Sequence, residues 1–246
     1  MKHRSKYDII VVGGGHAGLE TANIASFRCC SVLLITMDKS AIGRMSCNPA
    51  IGGLAKGQMV REIDVLGGIM GVSADLSGIQ FKVLNKSKGR SVWSPRAQVD
   101  KRKYENIVST KTNQTLVDIY EGEAIRLLVK NETIRGVELR DGNRVFSGAV
   151  VLTCGTFLSG VIHIGERKIL AGRMGEERSE GMTESLEAIG FKTGKLKTGT
   201  PPRLLRESIN WKKTKVATGD KEPTPFSFQT DRFNPPNEPC HTIRTN

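Results

Sequence analysis

The chain lacks the features of a membrane protein or a secreted protein. None of the apolar runs in its 246 residues approaches the ~20 residues that a membrane-spanning helix needs. The amino terminus is basic, but an apolar strand and a glycine turn follow it without a small-residue cleavage site, so we predict no signal peptide. We therefore expect a cytoplasmic location and no membrane span.

Cysteines are scarce and irregularly spaced. They form no C-x-x-C pair and show no zinc-ligand spacing with the four histidines, so we predict no metal site. An odd number of cysteines in a chain without secretory features indicates free thiols. The five are Cys29, Cys30, Cys47, Cys154 and Cys240.

Acidic residues are also in deficit. The chain has 25 Asp and Glu residues against 37 Lys and Arg residues, which gives a net charge of +12. The basic residues are spread along the chain instead of being gathered in one tail. Such a field favours polyanions, with nucleic acid as the usual partner and an acidic protein surface or a phosphate-rich cofactor as the alternatives.

A glycine-rich turn near the amino terminus organises the rest of the chain. The apolar run Ile9–Val12 leads directly into G-x-G-x-x-G at Gly13–Gly18, and a helix-like segment, Leu19–Arg28, precedes a second apolar run, Ser31–Thr36. This order is typical of a dinucleotide-binding βαβ unit, whose glycines permit the turn, the approach of a pyrophosphate and close helix packing. We expect the pyrophosphate at the helix start, where N–H groups and the helix dipole favour an anion.

The end of the second strand departs from the usual pattern. An adenosine-binding unit normally carries Asp or Glu there to hold the ribose hydroxyls. In this chain Thr36 occupies that position and Asp38 follows two residues later. Taken alone, the strand–turn–helix pattern therefore leaves FAD and NAD both open.

A loop rich in Gly, Pro and Asn, residues 43–53, holds Cys47 just ahead of a predicted helix over Leu54–Leu66. Arg44 and Lys56 lie close to it in sequence. A helix amino terminus and neighbouring cations favour a reactive thiolate. Cys47 is therefore our candidate nucleophile, and the alternative is a small residue that merely fills the loop.

The remaining patterns predict short strands and two further helices. Residues 71–100 are predicted to be rich in loops, with a strand over Ile79–Leu84, and helices are predicted over Arg96–Thr110 and Glu180–Ile189. The other predicted strands are Val117–Tyr120, Ala124–Val129, Thr133–Leu139, Arg144–Phe146 and a return strand, Ala149–Thr153. The return strand ends in the stretch Val150–Thr156, which resembles the A-T-G segment by which flavoproteins re-enter the FAD site, with Cys154 where Ala is usual.

These elements together predict an α/β fold. It is a Rossmann-like FAD-binding domain of the two-dinucleotide, glutathione-reductase-like type, with an antiparallel β-meander at about residues 117–147. Residues 1–200 are assigned to the FAD-binding domain. Residues 201–246, where the composition becomes rich in proline and contains aromatic residues, are assigned to the beginning of an inserted, substrate-facing domain.

Seven motifs extend the glycine pattern into a family resemblance. Together they resemble the bacterial and mitochondrial tRNA uridine 5-carboxymethylaminomethyl modification enzymes, the MnmG or GidA family. The motifs are G-G-G-H-A-G (Gly13–Gly18), M-S-C-N-P-A-I-G-G (Met45–Gly53), G-I-Q-F (Gly78–Phe81), L-N-x-S-K-G (Leu84–Gly89), R-A-Q-x-D (Arg96–Asp100), L-T-C-G-T-F-L (Leu152–Leu158) and K-T-G-T-P-P-R (Lys197–Arg203).

The resemblance implies an FAD enzyme that modifies C5 of the wobble uridine of certain tRNAs. It further implies NADH and methylenetetrahydrofolate as co-substrates, and glycine or ammonium as the amine. The implied partner is the GTPase MnmE, which forms a heterotetramer with a homodimer of the family member.

The resemblance also implies site residues by matched position. Cys47 matches one of two cysteines that the family's mechanism needs, and the motif of the second lies beyond Asn246. Cys240 lies in a different stretch and is given no catalytic role. We expect a form that ends at Asn246 to bind flavin weakly and to be inactive. The implied FAD residues are Gly13, Gly14, Gly15, His16, Ala17, Gly18, Ala124 and Ser179.

Basic side chains are candidate contacts for tRNA phosphates, since a folded tRNA is held largely through its backbone. An ordinary solvated face is the alternative for each of them. The candidates are Lys86, Lys88, Arg90, Lys195, Lys197, Arg203, Lys212 and Lys213.

Three other functions stay open. The first is a folate- and FAD-dependent tRNA uridine-54 C5-methyltransferase, which shares the chemistry but has no GTPase partner. The second is a non-catalytic flavin-binding module that recruits tRNA. The third is a small-molecule NAD(P)H oxidoreductase. The motifs at Met45–Gly53 and Lys197–Arg203 favour the wobble-uridine enzyme over the first of these.

Overall fold

The computed structural model describes residues 4–45, 48–199 and 204–243, in two compact units. Unit 1 comprises residues 1–44 and 112–197, and unit 2 comprises residues 45–111 and 198–246. The helices are α1 (His16–Phe27), α2 (Lys56–Val65), α3 (Met70–Ser77), α4 (Lys101–Asn113) and α5 (Met182–Ala188). The strands are β1 (Lys6–Val12), β2 (Val32–Thr36), β3 (Ala50–Gly52), β4 (Gly78–Leu84), β5 (Ser94–Val99), β6 (Val117–Glu121), β7 (Ala124–Lys130), β8 (Thr133–Leu139), β9 (Arg144–Leu152), β10 (Ile162–Ile164), β11 (Arg167–Ile169), β12 (Lys215–Ala217) and β13 (Cys240–Thr242).

Unit 1 is built on a six-stranded sheet in the order β6-β2-β1-β9-β8-β7. Strands β6, β2, β1 and β9 are parallel, whereas β8 and β7 continue the sheet as antiparallel neighbours. All five residues of β2 are buried, as expected for a parallel strand covered on both faces. This mixed sheet with its helices confirms the α/β fold that the sequence predicts.

The core of unit 1 lies on the sheet between β1 and the meander strands. Its members include Ile10, Leu33, Val137 and Met182, each 0% exposed. Met182 is the first residue of α5, so this short helix is fixed against the meander by its apolar start.

Two predicted boundaries within the sheet are wrong. Residues 117–121 are not part of the meander, because β6 pairs in parallel with β2, with Ile35 opposite Tyr120. The predicted strands at 144–146 and 149–153 form one strand, β9, whose residues 144–146 pair with β8 and whose residues 146–152 pair with β1. The meander therefore consists of β7, β8 and the first part of β9. A strand can have different partners at its two edges, and hydrophobic periodicity does not show this.

Unit 2 contains a three-stranded antiparallel sheet in the order β3-β5-β4, with α2 and α3. Two carboxylates, the buried Asp64 and the half-buried Asp75, attach the segment 226–228 to these helices. The N–H groups of Phe226 and Ser227 donate to Asp75 at 2.7 and 2.9 Å, and that of Phe228 donates to Asp64 at 2.8 Å. Burial raises the pKa of Asp75 above its ordinary value, although these hydrogen bonds oppose the shift.

The structure also corrects the prediction for residues 71–110. The segment that was predicted to be rich in loops contains α3, β4 and β5, and the predicted helix over Arg96–Thr110 begins only at Lys101. The reason is local, because Asp100 acts as the N-cap and its carboxylate accepts the N–H of Lys103 at 2.9 Å. The residues before it pair with β4 instead.

The compact units do not follow the predicted division at residue 200. Residues 45–111 group with residues 198–246, since Asp64 and Asp75 bind the later segment directly. The roles assigned to residues 1–200 and 201–246 stay predictions. Among the residues that the structure describes, no helix has the length and hydrophobicity needed to cross a bilayer.

The glycine turn yields a stability prediction. A Cβ atom at Gly18 would overlap the carbonyl oxygen of Gly13, and that oxygen belongs to backbone that cannot swing aside. We expect Gly18→Ala to lower the free energy of unfolding by about 2–3 kcal/mol, the upper part of the range for overpacking. Urea denaturation followed by circular dichroism measures this loss.

Gly53→Ala is the control for backbone strain alone, because Gly53 has open space around the Cβ position but a φ of +95°. A Gly18→Ala protein as stable as the wild type would contradict the close helix–strand contact.

Candidate cofactor site

The carboxyl ends of the parallel strands meet at one edge of the unit 1 sheet. Val12 lies opposite Ile35 on one side and Leu152 on the other, and Ile35 lies opposite Tyr120. The loops that follow β1, β2, β6 and β9 therefore begin side by side. In open α/β sheets this edge is where ligands bind.

The glycine turn after β1 is held by backbone hydrogen bonds and by the absence of side chains. The N–H of Gly13 donates to Ile35 O at 2.8 Å, and the N–H of Thr153 donates to Val12 O at 2.8 Å. Gly13 has a φ of +113°, and a Cβ atom there would lie 2.5 Å from the carbonyl oxygen of Thr153. Only glycine fits at this position.

Gly15 differs from its neighbours because a Cβ atom there would meet nothing within 4 Å. It is the N-cap of α1, and the first turn of that helix contains no acidic residue. Gly15 and Ala17 are exposed, His16 is half-buried, and Gly18 is buried. The helix start thus presents N–H groups and a positive dipole end to open space, which suits a pyrophosphate.

The residues after β2 form an ionic network instead of presenting a single free carboxylate. Thr36 is buried and its hydroxyl donates to Asp38 O at 3.1 Å. The carboxylate of Asp38 accepts the N–H and hydroxyl of Ser40, and Arg44 bridges Asp38 at 3.3 Å and Glu176 at 3.0 Å. The hydrogen bonds from Ser40, helped by Arg44, hold the pKa of Asp38 below its ordinary value.

A cavity of about 420 Å³ lies beside this edge. Its volume falls within the ~300–1,000 Å³ range of small-molecule sites. It is lined by the residue after β2, by the end of β6 with the loop that follows, by the end of β8 with its turn, and by one residue of the segment before α5. The lining residues are Met37, Tyr120, Glu121, Gly122, Glu123, Leu139, Arg140, Asp141 and Glu177.

Glu123 connects the cavity to two of the residues implied by the family resemblance. Ala124, the next residue, is 2% exposed and begins β7. The hydroxyl of Ser179 hydrogen-bonds to Glu123, and the N–H of Ser179 donates to Phe157 O at 2.9 Å. Ala124 and Ser179 therefore both adjoin Glu123, which lines the cavity, although neither of them lines it. Gly14 links it to the turn, since a Cβ there would lie 2.9 Å from Thr36, the residue before Met37.

Arg140 makes a bidentate ion pair with Glu123. Burial by itself would raise the pKa of Glu123, but the hydrogen bonds from Arg140 and from the N–H of Glu180 outweigh it and hold the pKa below its ordinary value. Glu123 is therefore ionised at neutral pH. Tyr120 donates to Asp141 at 2.5 Å, and this bond fixes the ring at the cavity wall.

The cysteine thiols differ in their surroundings, and one of them is not described by the structure. Cys47 lies outside the described residues, so its role as nucleophile stays a prediction. Burial raises the pKa of Cys154 to about 11, which fits an unreactive thiol beside the turn. Cys29, Cys30, Cys154 and Cys240 form no disulfide. No cluster of metal-ligating side chains occurs within the ranges that the structure describes.

Sequence reasoning missed Glu121, Glu123, Arg140 and the ionic network of Arg44. The carboxylates at this edge come from the end of β6 and from the loop after it, whereas the fingerprint directs attention to the end of β2. A recognisable signal existed in the three acidic residues Asp118, Glu121 and Glu123 around a short strand. It required β6 to be read as a parallel strand beside β2.

Comparisons with known proteins place this geometry in a family. A family model described as "Glucose inhibited division protein A" matches residues 8–246. The tRNA uridine 5-carboxymethylaminomethyl modification enzyme MnmG of Bdellovibrio bacteriovorus is 47% identical over 242 residues, which cover 98% of this chain and 38% of that protein. The MnmG of Geotalea uraniireducens is 46% identical over 241 residues, covering 98% and 39%.

Comparison with solved structures supports the same family. GidA of Aquifex aeolicus superposes with a TM-score of 0.90 at 43% identity, over 96% of this chain and 41% of that one. A GidA-related protein of Thermus thermophilus superposes with a TM-score of 0.55 at 19% identity, over 76% of this chain and 69% of that one, which shows a shared fold alone. The chain thus spans about two-fifths of the length of the MnmG and GidA proteins it matches.

The Glu123–Arg140 pair predicts a pH-dependent stability. Glu123→Gln keeps the side-chain size but removes the charge that Arg140 binds. We expect this substitution to lower the free energy of unfolding by about 1 kcal/mol at pH 7. The loss is moderate because Arg140 is half-exposed, so solvent screens the ion pair. A lowered folded-state pKa stabilises the protein above the ordinary pKa, and this contribution disappears as the pH falls through the lowered value.

Urea denaturation of both proteins between pH 7 and pH 3 tests the sign. The difference between wild type and Glu123→Gln should shrink as the pH falls, whereas Glu138→Gln, in the more exposed pair with Arg144, should cost less at every pH. A difference that grows towards acid pH would contradict the assignment.

Proposed function

This chain belongs to the glucose inhibited division protein A (GidA) family, and we propose that it forms part of an FAD-dependent enzyme that modifies C5 of the wobble uridine of certain tRNAs. The family match over residues 8–246 carries the proposal, since close relatives are named as tRNA uridine 5-carboxymethylaminomethyl modification enzymes. The added group is carboxymethylaminomethyl or aminomethyl. The whole activity is a proposal because the chain spans about two-fifths of those relatives.

The residues at the sheet edge fit FAD. The pyrophosphate would lie at the start of α1, held by Gly13–Gly18, where the open space at Gly15 allows close approach. The carboxylates of the cavity do not suit a phosphate, but they suit hydroxyl and amino donors, so the adenosine end belongs beside Glu121 and Glu123. Ala124 follows Glu123 in the chain, and Ser179 hydrogen-bonds to it. When bound, FAD would carry electrons from NADH and participate in the transfer of the one-carbon unit.

Cys47 supplies the covalent step in this proposal. Its thiolate adds to C6 of the uracil ring, forming an S–C6 bond while the C5–C6 π electrons move to C5 and O4 as an enolate. C5 is then nucleophilic and attacks the methylene carbon of an iminium derived from methylenetetrahydrofolate, forming a C5–carbon bond while the C=N π electrons move to the carrier nitrogen. The amine of glycine or ammonium later replaces the carrier nitrogen on that carbon, and the carrier leaves as a protonated amine. Loss of the C5 proton to a base and expulsion of the thiolate restore the C5–C6 double bond and release Cys47.

The remaining participants follow from the family resemblance alone. Glycine or ammonium supplies the amine, and NADH reduces the flavin. The GTPase MnmE assembles with a homodimer into a heterotetramer, and the location is the cytoplasm. The net charge of +12 supports tRNA as the substrate, because phosphate contacts dominate the binding of a folded RNA.

The open space at Gly15 generates a cofactor prediction. Gly15→Ala places a methyl group where the pyrophosphate approaches, and nothing in the protein opposes it. We expect FAD affinity to fall at least about tenfold, since displacing one charge-assisted hydrogen bond costs roughly 1.5–3 kcal/mol. The measurement is FAD binding by flavin absorbance and fluorescence in the protein at its natural length.

The melting temperature should change by only a few degrees, because an N-cap change from Gly to Ala costs about 1 kcal/mol or less. A yellow Gly15→Ala protein with unchanged affinity would contradict the site.

The Cys47 assignment generates a separate prediction. Cys47→Ser removes the thiolate and keeps the side-chain size, so we expect turnover to fall by at least about a thousandfold, given that a serine hydroxyl is a weak nucleophile without a base. Flavin and tRNA binding should stay within about twofold of wild type. Mass analysis of nucleosides from treated tRNA measures the product, and Cys240→Ser is the matched control. Full activity in Cys47→Ser would remove Cys47 from the mechanism, and a plain 5-methyl product in the T loop would instead indicate the uridine-54 methyltransferase.

A further inference from the structure

A basic hairpin in unit 2 combines cations and an exposed tryptophan. The basic hairpin is residues 82–96, where β4 and β5 pair with Leu84 opposite Ser94. The wider segment from residue 76 to residue 99 contains no Asp or Glu. Residues 86–93, which form the connection, are all exposed. The five cations of the hairpin are Lys82, Lys86, Lys88, Arg90 and Arg96.

The connection is an ordered structure. Asn85 and Gly89 adopt left-handed or positive-φ conformations that start two short 3₁₀ turns, Lys86–Lys88 and Arg90–Val92. The indole Nε1 of Trp93 donates to Lys86 O at 3.2 Å, and Gln58 donates to Trp93 O at 3.2 Å. The backbone of the tip and the Trp93 ring are therefore held in place, which reduces the entropy lost on binding a partner.

The cations of the hairpin differ in how they are neutralised. Lys86 pairs with Asp220 at 2.9 Å, whereas Lys88 and Arg90 have no carboxylate within salt-bridge distance in the part of the chain that the structure describes. Arg90 lies over the Trp93 ring at 5.6 Å from its centroid. This places an aromatic plane and a guanidinium plane next to each other on a positive surface.

The combination has a specific chemical meaning. Unpaired RNA bases stack on aromatic rings and on arginine planes, while free cations bind the phosphates on either side. Bases within an A-form helix are already stacked, so such a surface selects loops. An acidic peptide would use the cations, but it would leave the indole without a role.

We infer that the basic hairpin is an RNA-binding surface on which an unpaired base of a tRNA loop stacks against Trp93 and Arg90, with Lys88 and Arg90 contacting phosphates. The inference rests on the proposed function, because it names the part of the chain that contacts the tRNA. It goes beyond that function because it assigns the contact to this hairpin.

The test measures binding of an anticodon stem-loop RNA with uridine at the wobble position, using the protein at its natural length. Trp93→Ala should weaken binding about tenfold, because one base–aromatic stack is typically worth about 1–3 kcal/mol. Trp93→Phe keeps a stacking ring without the Nε1 bond and should stay within about threefold. Equal losses in both variants would mean that the indole only shapes the tip, which overturns the stacking.

Phe228→Ala is the matched control for loss of an exposed aromatic ring. Phe228 is 62% exposed and lies under Arg61 at 4.3 Å, but its own N–H binds the carboxylate of Asp64. It thus repeats the arginine–aromatic geometry without the acid-free surroundings of the hairpin. Its removal should leave RNA affinity unchanged, and a loss equal to that of Trp93→Ala would overturn the assignment to the hairpin.

Salt dependence tests the phosphate contacts. Lys88→Ala and Arg90→Ala should each reduce the slope of log affinity against log salt by about 0.7–0.9, the value for one lost phosphate contact. Lys168→Ala, an exposed cation on β11, should leave the slope unchanged. Unchanged slopes in the two hairpin variants would overturn their role.

Fluorescence gives a readout at the residue itself. The emission of Trp93 is the difference between the tryptophan fluorescence of wild type and that of Trp93→Phe. We expect this emission to be quenched when the stem-loop binds to the wild-type protein. Circular dichroism and thermal melting confirm that each variant folds. If wild type binds tRNA and the hairpin variants bind it equally well, the hairpin inference fails alone. If wild type binds no tRNA, the proposed function fails with it.

Discussion

The contact between the glycine turn and the strand end is the constraint on which unit 1 depends. A Cβ atom at Gly18 would overlap Gly13 O, and one at Gly13 would lie 2.5 Å from Thr153 O. Helix α1 can approach β1 and the end of β9 only because these side chains are absent. Open space then remains on the other side, at Gly15, so one turn packs tightly inward and offers its N–H groups outward.

The parallel pairing converts this local turn into a site. Strands β1, β2, β6 and β9 all end at the same edge, so residues far apart in the chain meet there. Glu123, Arg140 and Ser179 form one network across the start of the meander and the segment before α5. Positive and negative groups are therefore separated along this edge. The positive start of α1 lies at one end, and the carboxylates lie at the cavity. This suits a ligand with an anionic centre and a polar, neutral end.

Unit 2 relies on a different balance. Two carboxylates, the buried Asp64 and the half-buried Asp75, attach residues 226–228 to α2 and α3. The basic hairpin between β4 and β5 instead carries Lys88 and Arg90, which form no salt bridge with any residue that the structure describes. The charges of Asp64 and Asp75 stabilise the fold, because they accept hydrogen bonds from backbone N–H groups. On the acid-free hairpin, charge is left available to a partner. The net charge of +12 is therefore a sum of segments with different functions.

The sequence by itself determined the local events. These are the strand, turn and helix at 6–27, the two meander strands at 124–130 and 133–139, the family motifs and the candidate thiol Cys47. Each depends on residues close together in the chain, such as the glycines of the turn. Only the tertiary structure decided that β6 joins β2, that β9 is one strand with two kinds of partner, and that Ser179 hydrogen-bonds to Glu123 in the cavity wall. The physical reason is that strand neighbours are set by pairing and burial over more than eighty residues of separation. A periodic pattern reports which face is buried but not what covers it.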